Sequence, residues 1–363
     1  MRFLVNSIVV TLAFSFSVTG GFAQTIETIA GTGQPKGNGA EGAALKSNIG
    51  EPFGVEIGPD GGLYVCEVRN HRVWKLDLKS GHLKLVAGRG KVGYAGDGAK
   101  ATEALLNEPY EVRFDGAGNM LFVEMKNHVV RKVDAKTGVI STVAGIGKSG
   151  FAGDGGPATK GQLSAPHSIA LDDQNNLYIA DIGNHRIRRV DAKTGVIDSI
   201  AGNGEKKLPE NGQTARDKPL LGPRALFIQG NDLWIALREG HSVWKLDLKG
   251  GALAHIAGSG KKGFTGDGGP ATTATFDGPK GIALGPDGNV YVMDTENHAV
   301  RKIDLKSGLI STVAGSGPMG KGGGGDGGSA SKAQMDRPHG ICVGPDGAIY
   351  IGDSNNHRVR RVK

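Results

Sequence analysis

The chain repeats itself six times, and that repeat restricts its fold more than any other property. Each copy opens on a proline, at Pro52, Pro109, Pro166, Pro223, Pro279 and Pro338, spaced by 57, 57, 57, 56 and 59 residues. A histidine follows in each, at His71, His128, His185, His241, His298 and His357, spaced by 57, 57, 56, 57 and 59 residues. Two independent markers on one period describe equal units, each burying its apolar face against its neighbours. The third copy reads as four strands: Ser168 to Leu171, Leu177 to Asp181, His185 to Val190 and Val196 to Ala201. The turns between strands have fitting chemistry, with Gly-Pro-Asp-Gly starting at Gly58, Gly285 and Gly344 and Lys-Thr-Gly or Lys-Ser-Gly starting at Lys79, Lys136, Lys193 and Lys306. Glycine supplies 62 of 363 residues, too many for a helical bundle, and no Gly-X-Y period suggests collagen. Four strands in each of six copies predict an all-β protein, a six-bladed β-propeller of four-stranded blades.

The phase of the repeat predicts how the ring closes. The sixth copy stops after its third strand, at Val362, while Ile26 to Ala30 reads as a lone fourth strand ahead of the first proline. The N-terminal strand is therefore expected to complete the last blade and leave no inner edge unpaired. Residues 24–363 are read as one propeller domain. Residues 1–23 are read as a secretory signal, with Arg2 as its positive start, an apolar stretch from Phe3 to Val18, and Gly21-Phe22-Ala23 before the cut. The protein is accordingly expected to be secreted or periplasmic, without a membrane span once the signal is removed, and monomeric. Loss of Arg2 takes the formal charge from +7 to +6. In an exported protein this favours anionic ligands, glycans or envelope surfaces over nucleic acid as partners. Cys66 and Cys342 fall in adjacent blades of the closed ring. A disulfide between them is conceivable, but each replaces an alanine of other copies, as a small buried residue would.

The stretch from Leu177 to Val190, Leu-Tyr-Ile-Ala-Asp-Ile-Gly-Asn-His-Arg-Ile-Arg-Arg-Val, resembles the NHL repeat, and 291–303 and 350–362 repeat it closely. The long loops between blades, such as Gly153-Asp154-Gly155-Gly156-Pro157-Ala158-Thr159, resemble those of bacterial and teneurin-type NHL propellers. The resemblance implies the six-bladed fold and leaves function open. NHL propellers include protein-binding and RNA-binding modules and a peptide-amidating lyase, and the related six-bladed gluconolactonases are enzymes. The chain lacks a Glu-Gly-Pro opening like that of the gluconolactonases. The zinc-binding histidines of the lyase do not map onto it, since His167 and His339 stand three blades apart.

Two repeated motifs read as structural. The Asn-His pairs sit at one turn of every blade, where six rings spread around a propeller cannot converge on one ion. The Gly-Asp-Gly loops at Asp97, Asp154, Asp267 and Asp326 lack the alternating oxygen ligands and terminal Glu of an EF-hand. The Pro-Ala-Thr runs at Pro157 and Pro270 suit a short helical turn with proline in its first position.

The candidate site comes from positions where the copies disagree. The residue after the opening proline should ring the channel mouth, and it reads Phe53, Tyr110, His167, Arg224, Lys280 and His339. Two residues after the proline the copies read Gly54, Glu111, Ser168, Ala225, Gly281 and Gly340, and four after it Glu56, Arg113, Ala170, Phe227, Ala283 and Cys342. The acid that ends the second strand reads Glu67, Glu124, Asp181, Leu237, Asp294 and Asp353. Glu56 and Arg113 could simply pair between blades 1 and 2, a bland account that leaves Glu111 and the mixed mouth unexplained. A concave mouth with both signs of charge is the default place to seek a ligand. The leading expectation is a propeller that binds a protein or a small anionic or glycan ligand through Phe53, Tyr110, Arg113, His167, Arg224, Lys280 and His339. The second is a lactonase or lyase in which Glu56, Glu111 and Glu124 hold a divalent metal (Ca²⁺ or Zn²⁺) and Tyr110, His167 or His339 moves protons.

Overall fold

A computed structural model describes residues 24–37 and 41–363. The proposed signal at 1–23 lies outside the described residues. Six antiparallel sheets form the blades. Their strands, from inner to outer, are Pro52–Ile57, Leu63–Glu67, Arg72–Asp77 and His82–Ala87 in blade 1, and Pro109–Phe114, Met120–Glu124, Val129–Val133 and Ile140–Ala144 in blade 2. Blade 3 has Ser168–Leu171, Leu177–Asp181, Arg186–Val190 and Val196–Ala201, and blade 4 has Pro223–Gln229, Asp232–Leu237, Ser242–Asp247 and Leu253–Ala257. Blade 5 has Pro279–Leu284, Val290–Asp294, Ala299–Ile303 and Ile310–Ala314. Blade 6 has Ile341–Val343, Ile349–Asp353 and Arg358–Val362, and Ile26–Ala30 is its outer strand, pairing Ile26 with Val362 and Ala30 with Val359. The ring closes as the repeat phase predicts.

Second strands are buried on both faces because every blade is packed between two others. The core is therefore a set of clusters between blades: Cys66, Val73 and Ala87 of blade 1 meet Val112 and Phe122 of blade 2, while Val55, Leu63 and Val65 meet Cys342 and Tyr350 of blade 6. Cys66 and Cys342 thus belong to clusters on opposite sides of the blade 1 sheet. Both are free and buried, so the conceivable disulfide is absent. Proline also differs in detail from expectation. Pro157 and Pro270 precede the short 3-10 turns Ala158–Lys160 and Ala271–Thr273 as extended N-cap residues instead of starting them.

The histidines hold the blades in register. Each stands in the left-handed conformation at the turn between second and third strands, with φ between 45° and 56°. Its Nδ1 accepts the backbone N–H just before the next blade's opening proline: Glu108 to His71 at 3.2 Å, Ala165 to His128 at 3.0 Å, Gly222 to His185 at 3.1 Å. Gly278 to His241, Arg337 to His298 and Glu51 to His357 complete the circle at 3.1, 3.0 and 3.1 Å. A second relay runs outward from the acid that ends the second strand. In blade 2, Glu124 accepts from Asn127 at 2.6 Å and Arg131 at 2.7 Å, and Arg131 also reaches Asp97 at 2.7 Å. Asp154, Asp267 and Asp326 pair in the same way with the buried Arg188, Arg301 and Arg360, so the Gly-Asp-Gly loops are ion-pair anchors. Leu237 has a simple origin here. Blade 4 has Gly240 where every other blade has the Asn. Its Trp244 donates to Ser242, whereas Trp74 at the same position of blade 1 donates to the acid Glu67, so in blade 4 no donor is left for an acid to serve.

Candidate functional site at the channel mouth

Six inner strands converge on the axis, and their approach is close enough to dictate glycine. A Cβ on Gly54 would lie 2.7 Å from Glu111 Cα and Tyr110 O, and one on Gly281 would lie 2.6 Å from His339 O. Glycine at this position in blades 1, 5 and 6 is thus a packing requirement. The next side chains outward, one per blade, close the mouth. Phe53, His167, Arg224, Lys280 and His339 are all buried, and Tyr110 is half-buried.

Four of the six form one continuous aromatic arc. His339 stacks on Phe53 with ring centroids 3.8 Å apart, Phe53 meets Tyr110 edge-on at 4.7 Å, and Tyr110 meets His167 edge-on at 4.7 Å. Burial, reinforced by the nearby Arg224 and Lys280, holds both imidazoles well below their ordinary pKa, so they are neutral. His167 Nδ1 lies 2.6 Å from Ala165 O, and His339 Nδ1 lies 2.8 Å from Arg337 O. A carbonyl can only accept, so Nδ1 carries the proton and Nε2 is the basic nitrogen. Of the six residues that ring the mouth, this leaves Arg224 of blade 4 and Lys280 of blade 5 as the cations.

There the two cations differ. Lys280 Nζ donates to Glu296 Oε1 at 2.6 Å, and Arg337 clamps the same carboxylate at 2.8 and 2.9 Å. These two cations keep Glu296 ionised, at about 2, despite the desolvation that opposes them. Burial drives Lys280 down to about 8 against the pull of Glu296. An open cleft of about 410 Å³ beside Lys280 is lined by Arg238, Glu239, His241, Glu296 and Arg337. Arg224, only 3% exposed, has no hydrogen bond or ion pair among the described residues, and its Nε is buried without a partner. Its guanidinium carbon sits 5.2 Å from the Tyr110 ring centroid. Desolvation brings Arg224 down to about 10.

Beneath the mouth, Arg113 crosses the channel. It pairs with Glu56 at 2.9 Å and with Glu111, and donates to Leu226 O of blade 4 at 3.3 Å. Burial pushes both carboxyls up, and Arg113 opposes that rise. Glu56 and Glu111 thus already share a cation, and Glu124 is committed to the relay with Arg131. Among the described residues no three His, Cys, Asp or Glu side chains converge as a metal site. The donor set does not fit the divalent ion of the enzymatic expectation.

Sequence comparison missed Glu296, Arg337 and Arg238. They lie at the turn between second and third strands and just before the opening proline, where the copies also diverge (Glu51, Glu108, Ala165, Gly222, Gly278, Arg337). Extending the comparison one residue upstream of the proline would have exposed Arg337.

Comparison with known proteins agrees with this geometry. The NHL repeat model matches residues 163–190 and 335–362, and the teneurin NHL domain model matches 257–321. The chain is an NHL-repeat propeller. This NHL chain is 29% identical over 273 residues to Protein SUPPRESSOR OF QUENCHING 1 of Arabidopsis thaliana, a match covering 72% of the chain and 25% of that protein. It is 26% identical over 329 residues to NHL repeat-containing protein 2 of Gallus gallus, covering 82% of the chain and 44% of that protein. The chain therefore spans less than half the length of these relatives. A solved auxiliary nutrient binding protein of Bacteroides thetaiotaomicron shares the fold at 18% identity and a TM-score of 0.69, over 94% of this chain and 76% of that one.

Proposed function

We propose that this NHL propeller is an exported binding protein that takes a small anionic ligand at the channel mouth. Arg224 supports the reading most directly. A desolvated guanidinium without hydrogen-bond acceptors is costly, and a carboxylate or phosphate group brought to it would supply the missing acceptors and favour its charge. The aromatic arc of His339, Phe53, Tyr110 and His167 would take the ligand's apolar part. A nutrient-binding description of a propeller with the same fold is consistent with this role. No helix among the described residues is long and apolar enough to cross a membrane. Titration calorimetry of the chain with a panel of small carboxylates and phosphates, repeated with Arg224→Gln, tests the reading. Binding that is lost in the variant supports it, and a panel without binders, or with binders indifferent to Arg224, sinks it.

A second reading rests on the neutral imidazoles. With Nδ1 bound to a carbonyl, Nε2 of His167 or His339 has the form of a general base, and Tyr110 lies against His167 as a proton donor. A lactonase or lyase of this kind would work without a divalent metal. Turnover of a lactone and ester panel that falls in His167→Asn or His339→Asn would favour it.

A further inference from the structure

The loops that follow the outer strands carry a second repeat. Each begins Gly-x-Gly, at Gly31, Gly88, Gly145, Gly202, Gly258 and Gly315, and every one of these twelve glycines has a positive φ. A Cβ on the first glycine would strike the carbonyl of that blade's ring-closing histidine. All six loops are therefore pinned against the same rim, the one that bears the mouth. Three to six residues after its first glycine, each loop presents an exposed lysine. Five of these, Lys36, Lys91, Lys148, Lys206 and Lys261, have no ion pair among the described residues, while Lys207, Lys262 and Lys321 meet Glu205, Asp277 and Asp336. The loop aspartates do not cancel this charge, because buried arginines already neutralise them.

The same loops hold most of the large apolar side chains left in solvent. Of the nine such residues among the described ones, six are Val92, Tyr94, Ile146, Phe151, Leu208 and Met319, and Met319 is 95% exposed. Exposed apolar residues scattered singly need no explanation, but a concentration on one face among lysines does. We propose that this crown docks the propeller on an anionic lipid bilayer, the lysines facing phosphate headgroups and the apolar tips entering the interface. Basic residues with shallow apolar insertion are the recognised combination for peripheral membrane binding. A soluble anionic polysaccharide would match the lysines. It would leave Val92, Ile146 and Met319 without a use, since aliphatic side chains have no flat face to stack on a sugar.

The propeller from Gln24 onward, which closes on itself, can be tested by co-sedimentation with phosphatidylcholine vesicles and with mixed phosphatidylcholine–phosphatidylglycerol vesicles. Binding should be at least about tenfold tighter to the mixed vesicles and should fall as salt rises. Lys91→Glu, Lys148→Glu and Lys261→Glu together should lower it by about tenfold or more at an unchanged melting temperature. Val92→Ser with Met319→Ser should weaken it even at high salt, while Arg224→Gln should leave it alone, which separates this surface from the mouth. Equal binding to both vesicles, or indifference to the lysine triple, overturns the proposal. Retention on an immobilised anionic polysaccharide without vesicle binding also overturns it, and assigns the crown to glycans.

Discussion

His357 Nδ1 accepts the backbone N–H of Glu51 at 3.1 Å, joining the last blade to the first across 306 residues of chain. The other five histidines do the same between consecutive blades, so the contact that seals the ring is one of six equal ones. Only a neutral imidazole can accept at Nδ1. Burial depresses the pKa of all six below the ordinary 6.5. The unfolded chain then binds more protons than the folded one as pH falls below 6.5. The stability from these groups is complete above that pH and is lost as pH falls through the folded values. Replacing His128 with Asn should cost about 1 kcal/mol at pH 7.5, the worth of one hydrogen bond. The difference from the parent should shrink as pH falls below 6.5 toward pH 5, because the unfolded parent's histidine binds a proton that the buried one resists. Denaturant melts at the two pH values measure it, and a penalty independent of pH would mean that the imidazole proton is irrelevant to the ring.

Closure also depends on the outer strand of blade 6. Ile26 is fully buried against Met335, Ile349 and Val362, so the N-terminal strand carries core as well as hydrogen bonds. Deleting residues 24–31 should leave Arg358–Val362 as an exposed edge and cause a large drop in melting temperature with aggregation. Calorimetry of the truncated chain gives the answer directly. A melt within a degree or two of the parent would show that the blade is stable with three strands.

The mouth makes a sharper prediction than its residue types alone. Lys280 and Arg337 already share Glu296, whereas Arg224 has no carboxylate of its own. Arg224→Ala should therefore weaken an anionic ligand by tenfold or more, while Lys280→Ala should weaken it less, because that change also frees Arg337 and Glu296 to rearrange. Rising salt should weaken the parent, since charges are screened over about 8 Å at physiological ionic strength, and the Arg224 variant should respond less. Isothermal titration at two salt concentrations distinguishes the two cations.

The period and the phase were readable because proline and histidine hold fixed backbone roles, and those roles recur at every blade. What each histidine bonds to was not readable, because its partner is a backbone N–H with no residue identity. Mouth positions are legible from comparing the copies, but the neutrality of His167 and His339 is not, since it follows from burial and two carbonyls. Leu237 taken alone is equally illegible. It stands where the other blades have the acid of a side-chain relay, and its meaning appears only beside Gly240, which replaces the asparagine of the other blades. Cys66 and Cys342 illustrate the pleat: neighbouring blades put them close in topology, yet they point into different clusters.

Arg113 bears on whether the channel is a site or a support. It holds Glu56 and Glu111 together inside the ring, and breaking a buried pair by removing one partner costs about 3–5 kcal/mol because it leaves uncompensated charge. Arg113→Ala should therefore be strongly destabilising at pH 7. Both carboxyls are already pushed upward by burial, and without the guanidinium they rise further. A carboxyl whose folded pKa exceeds its unfolded value favours the folded state at low pH and loses that contribution as pH rises through the folded pKa. The variant should thus recover part of its deficit between pH 7 and pH 5, opposite in sign to the histidine ring. Adding Glu56→Gln and Glu111→Gln should remove that recovery and restore some stability at pH 7, since neutral amides leave no buried charge unpaired. Melting curves of the single and triple variants at both pH values decide it. A single variant whose deficit does not change with pH would mean that the two acids find other cations, Arg224 foremost, and that the channel is built to rearrange around an anion.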